Sequence, residues 1–421
     1  MNRRRLRIAT ALAATTAAVA GMSTAEAAPA AHRAEPCPTL TVTEGWHADN
    51  KSRLQDLIDE YGTCATGNGA RPVAVFDWDN TVVKNDVGDA TMFWLLRNSR
   101  IKTPYKNDWH TTSRYLTDDA ATALRQACPT TTGNLPTGRN TVCADEILSV
   151  YADGETTAGK AAFAGHDRRR MEPSYAWLAQ LTRGWTAHQV QGFAAAARKE
   201  NLAAPVGTKR RVGTKDVTGW VRYYDQQRDL IRALHKAGFD VWISSASPQP
   251  VVEAWARGTG IGPDRVIGIR SVVEQGRLTR HLKGCGTVAD GDDSMITYID
   301  GKRCWINQEV YGVHGAPAEQ VQPAHRRPVF AAGDSDTDVS FLRDATALRL
   351  VINRNKAELM CRAYDNSDGR WLVNPMFIEP KKQQSTPYPC ASTGYTHSDG
   401  SSGPVLRGDG SVVPDQEDTV Y

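Results

Sequence analysis

The sequence predicts an α/β protein: a doubly wound, mostly parallel sheet, interrupted by an inserted helical block. Three observations predict it. The first is a proline-led apolar run, Arg71-Pro72-Val73-Ala74-Val75-Phe76. An unbroken apolar run of this length is the pattern of a strand buried on both faces. The second is that, from about residue 226 onward, short apolar runs alternate with helical patterns, which implies parallel strands joined by crossover helices. The third is that residues 90–225 hold helical stretches and many aromatics but few β-branched runs. That block reads as an insertion into the α/β domain.

Each element follows in order. Residues 1–27 read as an export signal. Arg3, Arg4, Arg5 and Arg7 form a basic start, Ile8 to Gly21 is mildly apolar, and Ala25-Glu26-Ala27 is a small-x-small cleavage site. The apolar stretch is too short to span a bilayer stably. Residues 28–69 are an N-terminal extension with one helix, Lys51 to Tyr61, in which Leu54, Leu57 and Ile58 fall at helical spacing. The core takes residues 70–89 and 226–380. Inside the cap at 90–225, helices are expected over 92–96, 120–127, 175–181 and 190–197.

In the second part of the core, Leu230, Ile231 and Leu234 form a helix face that Gly238 terminates. Strands are expected at 241–243, 266–269, 329–332 and 348–352. Ser247 followed by Pro248 reads as a helix N-cap with proline in the first helical position. Residues 381–421, rich in Ser, Gly, Pro and Asp, read as a mostly irregular tail tied at Cys390. The tail contains Arg407-Gly408-Asp409, an adhesion-like tripeptide too short to carry weight.

Composition narrows the function. The formal charge is +3 over 421 residues. The first 27 residues hold four arginines against one glutamate, and the remainder has 46 basic and 46 acidic side chains. A neutral mature chain removes the general electrostatic case for nucleic acid or an anionic membrane as partner. The eight cysteines include no C-x-x-C pair. In an exported chain they read as disulfides rather than a metal or redox site. Pairing of sequence neighbours gives Cys37–Cys64, Cys128–Cys143, Cys285–Cys304 and Cys361–Cys390.

The chemistry gathers where strands end. Asp77-Trp78-Asp79-Asn80-Thr81 begins as the first strand stops, and ligands in open α/β sheets bind just outside the carboxyl ends of strands. There Asp77 can offer a nucleophilic oxygen and Asp79 a proton donor and acceptor. Gly333-Asp334-Ser335-Asp336-Thr337-Asp338 closes another strand. Carboxylates from two strand ends suit a hard cation such as Mg²⁺, which leaves room for a phosphate. Ser244-Ser245-Ala246-Ser247 follows the strand at 241, and Lys302 precedes the second acidic cluster.

The order D-x-D-x-T, strand-Ser, Lys, G-D-x-x-x-D resembles the haloacid dehalogenase superfamily of phosphohydrolases over about residues 70–380. The subgroup it most resembles is that of phosphoserine and phosphorylcholine phosphatases. The resemblance implies a HAD-like Rossmannoid core with a helical cap, Mg²⁺ as cofactor, and a phosphoric monoester of a small molecule as substrate. It implies that Asp77 attacks phosphorus, that Asp79 is the acid and base, and that Asp77, Asp79 (through its carbonyl) and Asp334 hold the metal. Ser245 and Lys302 would bind phosphoryl oxygens, with Ser244 and Lys283 as rivals, and Asp338 would orient the metal-bound water or Lys302.

Asp86 and Asp89, where the chain enters the cap, are candidates for substrate selectivity. With cap aromatics they would favour phosphorylcholine or phosphoethanolamine. Arg97, Arg100 and Arg168–Arg170 would instead meet a phosphoserine carboxylate. A non-catalytic secreted binding protein on the same fold is the reading from a different class.

Overall fold

The computed structural model describes residues 36–66, 70–130 and 132–421. The expected export signal lies outside the described residues. Six strands form one sheet: Val73–Phe76 (β1), Asp240–Pro248 (β2), Val266–Ile269 (β3), Phe330–Gly333 (β4), Leu348–Asn353 (β5) and Trp371–Pro375 (β6). Their order is β3-β2-β1-β4-β5-β6, and every neighbouring pair is parallel. The direction of winding reverses between β1 and β4, so a crevice opens at their carboxyl ends.

Both faces of the sheet are covered, which is why its strands lack polar alternation. Ala74, Phe76, Val241, Ile243, Phe330 and Leu350 face one core. Helices Asn50–Tyr61 (α1), Ala187–Ala203 (α6), Asp225–Lys236 (α7) and Gln249–Ala256 (α8) contribute to it. Val75, Trp242, Ala331 and Val351 face the other core. There they meet Asp300–Tyr311 (α9), Val339–Asp344 (α10) and Ala357–Asp365 (α11).

A third cluster joins the remaining helices, Val87–Arg97 (α2), Asp118–Ala127 (α3), Thr141–Ala152 (α4) and Pro173–Leu181 (α5). Trp109 and Trp177 are fully buried in it. Helix α6 falls between the groups, because Val190 and Ala194 turn to the sheet core. Among the described residues no helix is long and apolar enough to cross a membrane.

All four expected disulfides are present. Strand β6 and helices α9 and α11 lie outside the expected elements, and three further features of the cap and the site differ from expectation. Helix α4 was not anticipated, because Cys143, Ile147, Leu148, Val150 and Tyr151 are buried almost all round and hide the helical period. A hairpin of Lys209–Val212 with Lys215–Thr218 interrupts the otherwise helical 90–225 block. Ser247 is not an N-cap. Strand β2 runs on to Pro248, and α8 starts at Gln249 without a side-chain cap. The pairing of β2 with β3 shifts register between Ser244 and Pro248. Such a bulge re-aims side chains, and here it turns the serines away from capping.

The stretch after residue 380 is largely irregular, as expected, yet it is packed. Tyr388, Cys390, Val405, Val413 and Val420 are buried against the second core. Arg407 is paired with Asp365 at 2.9 Å, and Asp409 accepts from the Ser411 amide at 2.9 Å, so the adhesion-like tripeptide is held by the fold.

Candidate active site

Asp77 is the first residue past β1, and its amide extends the ladder to Ala332 of β4 at 2.9 Å. Its carboxylate is buried between two donors. Lys302 Nζ lies 2.7 Å from Oδ1, and Thr81 Oγ1 lies 3.0 Å from Oδ2. Thr81 also reaches Asp334 Oδ1 at 2.9 Å, which couples the two strand ends. The turn between them is closed by Asn80, whose φ of 62° suits asparagine better than most residues. Burial pushes Asp77 up to about 6, with Lys302 pulling down and Asp334 pushing up. It is therefore mostly ionised at neutral pH.

Asp79 is held differently. Its Oδ1 accepts from the Val87 amide at 2.7 Å, and its Oδ2 accepts from Ser247 Oγ at 2.9 Å and Ser245 Oγ at 3.4 Å. Burial, Asp86 and Asp77 drive it well above the usual carboxylate range. Neighbouring carboxylates with opposed protonation preferences are what a nucleophile and a proton donor need.

The second acidic cluster requires its glycine. A Cβ on Gly333 would lie 2.7 Å from the Asp338 side chain. Asp338 turns back into its own loop. Oδ2 takes the amides of Asp334 and Ser335 at 2.9 and 3.1 Å, and Oδ1 takes Lys302 at 2.6 Å. Asp334 Oδ2 instead accepts from Arg354 Nη1 at 2.6 Å.

Lys302 is fully buried on α9. Burial opposes its charge, but Asp338 and Asp77 outweigh it and hold the pKa above the ordinary lysine range. The approach to α9 is strained: Ile299, a β-branched residue, has φ 42°. Its carbonyl accepts from Ser340 of α10. Thr297, two residues earlier, donates to the Ser245 carbonyl at 2.5 Å. A Cβ on Gly301 would meet the Ile296 carbonyl at 1.8 Å, so glycine is obligatory before the lysine. The rival Lys283 is paired with Asp290 at 2.9 Å and does not line the cleft.

Asp77, Asp79, Asp334, Ser335, Thr337, Ser247 and Arg354 line a narrow cleft. Tyr151 of α4, Tyr175 and Leu178 of α5, and Asp86 complete it. The structure thus brings Asp77, Asp79, Asp334, Asp338 and Lys302 together. Ser245 is fully buried behind the wall, its Oγ accepting the Ser247 amide at 3.1 Å, and Ser247 faces the opening. Asp89 is also set back. It accepts from Tyr151 Oη at 2.9 Å, and burial and Asp86 push it up to about 8.

Arg354 was missed by sequence reasoning, although the signal existed: it immediately follows β5, as Asp77 follows β1. None of Arg97, Arg100 and Arg168–Arg170 lines the cleft. Arg97 pairs with Glu200, Arg169 with Glu358 and Arg170 with Glu319.

Asp77, Asp334 and Asp338 carry carboxylate oxygens within 4.8 Å of one another, all buried. A buried, oxygen-only donor set fits a hard divalent cation such as Mg²⁺. With Asp338 committed to Lys302 and backbone amides, Asp77 and Asp334 are the side chains left to face it.

Residues 158–343 match the family model described as haloacid dehalogenase-like hydrolase. The match takes in Ser245, Lys302, Asp334 and Asp338 of this chain, while Asp77 and Asp79 precede it. A Streptomyces azureus protein named "Inhibition of morphological differentiation protein" is 35% identical over 127 residues. That alignment covers 30% of this chain and 37% of the relative, so the chain spans little more than a third of its length.

Among solved structures, a conserved functionally unknown protein from Anaerococcus prevotii superposes with a TM-score of 0.56 at 19% identity. It covers 80% of this chain and 94% of its own, and it shows the chain to share that fold. A protein of unknown function from Bordetella pertussis gives 0.43 at 17% identity, covering 73% of this chain and 100% of that one.

Proposed function

We propose that this protein is a secreted, Mg²⁺-dependent phosphomonoesterase that acts on small phosphate esters through an aspartyl-phosphate. One observation carries the reading. Asp77, ionised and held between Lys302 and Thr81, shares a narrow cleft with Asp79, whose surroundings favour the protonated form.

An Asp77 oxygen attacks phosphorus while Asp79 gives its proton to the leaving alkoxide. Asp79 then takes a proton from the water that hydrolyses the acyl phosphate. Lys302, which has a third N–H beyond its two carboxylates, meets a phosphoryl oxygen beside Asp77. Ser245 is the second phosphoryl donor implied by the motif order, and Ser247 and Arg354 are the donors that face the cleft. Asp77, Asp334 and the Asp79 carbonyl would hold Mg²⁺, which would supply positive charge against the dianionic ester.

The secreted location rests on the basic, small-x-small N-terminus and on four disulfides, which persist in oxidising compartments. Asp86 and the rings of Tyr151 and Tyr175 line the leaving-group side, which favours an amine-bearing ester such as phosphorylcholine or phosphoethanolamine. Arg354 favours the second reading, an ester bearing a carboxylate such as phosphoserine.

Hydrolysis of p-nitrophenyl phosphate with and without EDTA tests the reaction. Turnover that EDTA abolishes and Mg²⁺ restores is the expected result, and no turnover in Mg²⁺ would return the chain to the binding-protein class. A panel of phosphorylcholine, phosphoethanolamine and phosphoserine then decides between the two substrate readings.

A further inference from the structure

At the amino end of β5, opposite the reaction cleft, lies a second pocket. Four arginines line it: Arg343 of α10, Arg349 of β5, Arg362 of α11 and Arg407 of the C-terminal stretch. Only two carboxylates, Asp365 and Asp368, line it with them.

The charges do not cancel locally. Arg349 pairs with Asp368 at 2.6 Å and Arg407 with Asp365 at 2.9 Å. Arg362 pairs with Glu358 at 2.8 Å, but Glu358 also serves Arg169 at 2.6 Å. Arg343 has no hydrogen bond or ion pair from its guanidinium among the described residues. Partial desolvation together with Arg362 and Arg303 presses its pKa down. Arg349 is more than nine-tenths buried, and its Nε has no hydrogen-bond partner. Trp371 lies under its guanidinium at 5.0 Å and fixes the plane. Arg407-Gly408 supplies the outer rim, where nothing would crowd a Cβ on Gly408.

We infer that this pocket binds a small tetrahedral oxyanion, of which inorganic phosphate is the type. Planar guanidiniums with free N–H groups match phosphate geometry, and the surplus positive charge needs a counter-anion. The site joins α10, β5, α11 and the C-terminal stretch, so an anion there would clamp that stretch to the sheet. It stands apart from the phosphatase reading, because none of its residues touches the cleft.

The test is calorimetric titration of the whole protein with inorganic phosphate at constant ionic strength. EDTA is kept present, so that the carboxylate-rich cleft repels the anion. Saturable binding is expected in the wild type. Arg343→Gln should weaken it about tenfold or more, the effect of one charge-assisted pair. The Arg343 guanidinium holds no hydrogen bond or ion pair among the described residues, so the variant should melt with the wild type when phosphate is absent. Arg343→Glu should abolish binding. No saturable binding in the wild type, or equal affinity in Arg343→Gln, would overturn the inference.

Discussion

The two ends of β5 carry the same residue type in opposite surroundings. Arg354, just past the carboxyl end, is paired with a single carboxylate, Asp334, in a cleft crowded with Asp77, Asp79 and Asp86. Arg349, at the amino end, stands among three more arginines. The strand is six residues long, so roughly 16 Å separates the two environments. One end has an excess of negative charge and calls for cations, and the other has an excess of positive charge. The sheet's polarity explains the first: loops that leave the carboxyl ends converge at the winding reversal and bring acids from two strands together. The amino end has no such convergence. Three of its arginines come from α10, β5 and α11, and the C-terminal stretch folds back to add Arg407.

The comparison is broken most severely by changing the acidic end. Asp77→Asn should lower kcat by more than about 10³-fold with little change in Tm, because shape is kept and the nucleophile is lost. Retention of activity within tenfold would remove Asp77 from its role. At the other end the cost falls on stability. Cys361→Ser with Cys390→Ser should cost about 2–4 kcal/mol in denaturant unfolding. Its kcat on p-nitrophenyl phosphate should be unchanged, and a large fall would show that the C-terminal stretch reaches the chemistry.

Arg354→Gln sharpens the contrast. A cleft with four acids should lose roughly ten- to a hundredfold in kcat/KM when Arg354, the cation that lines it among the described residues, is removed. If phosphoserine suffers far more than phosphorylcholine, the arginine reads a carboxylate; equal losses assign it to the phosphoryl group. The smallest effect is expected at Asp89→Asn. Asp89 acts only through Tyr151, so kcat/KM for phosphorylcholine should fall by about two- to fivefold while phosphoserine is unaffected. An equal slowing of every ester would remove Asp89 from selectivity.

Much of this was legible in the residues. Unbroken apolar runs marked β1, β3, β4 and β5, because a strand covered on both faces has no polar side to show. Strand-end position singled out Asp77, Asp79 and Asp334 before any geometry was available. Helix α4 was not legible, since burial nearly all round removes the period. Ser247 was read as a cap because Ser-Pro is a good helix start locally, and only the pairing of β2 with β3 shows the strand continuing past it.

By itself, then, the amino-acid sequence determined the class of sheet, the disulfide pairs and the order of the chemical motifs. Those depend on neighbours along the chain or on burial that leaves a pattern. Tertiary structure alone decided which hydroxyl faces the cleft, that Arg354 meets Asp334, and that four arginines from separate elements share one pocket. Each of these joins residues across tens to hundreds of positions, and no local pattern encodes a contact whose two halves are brought together only by the winding of the sheet.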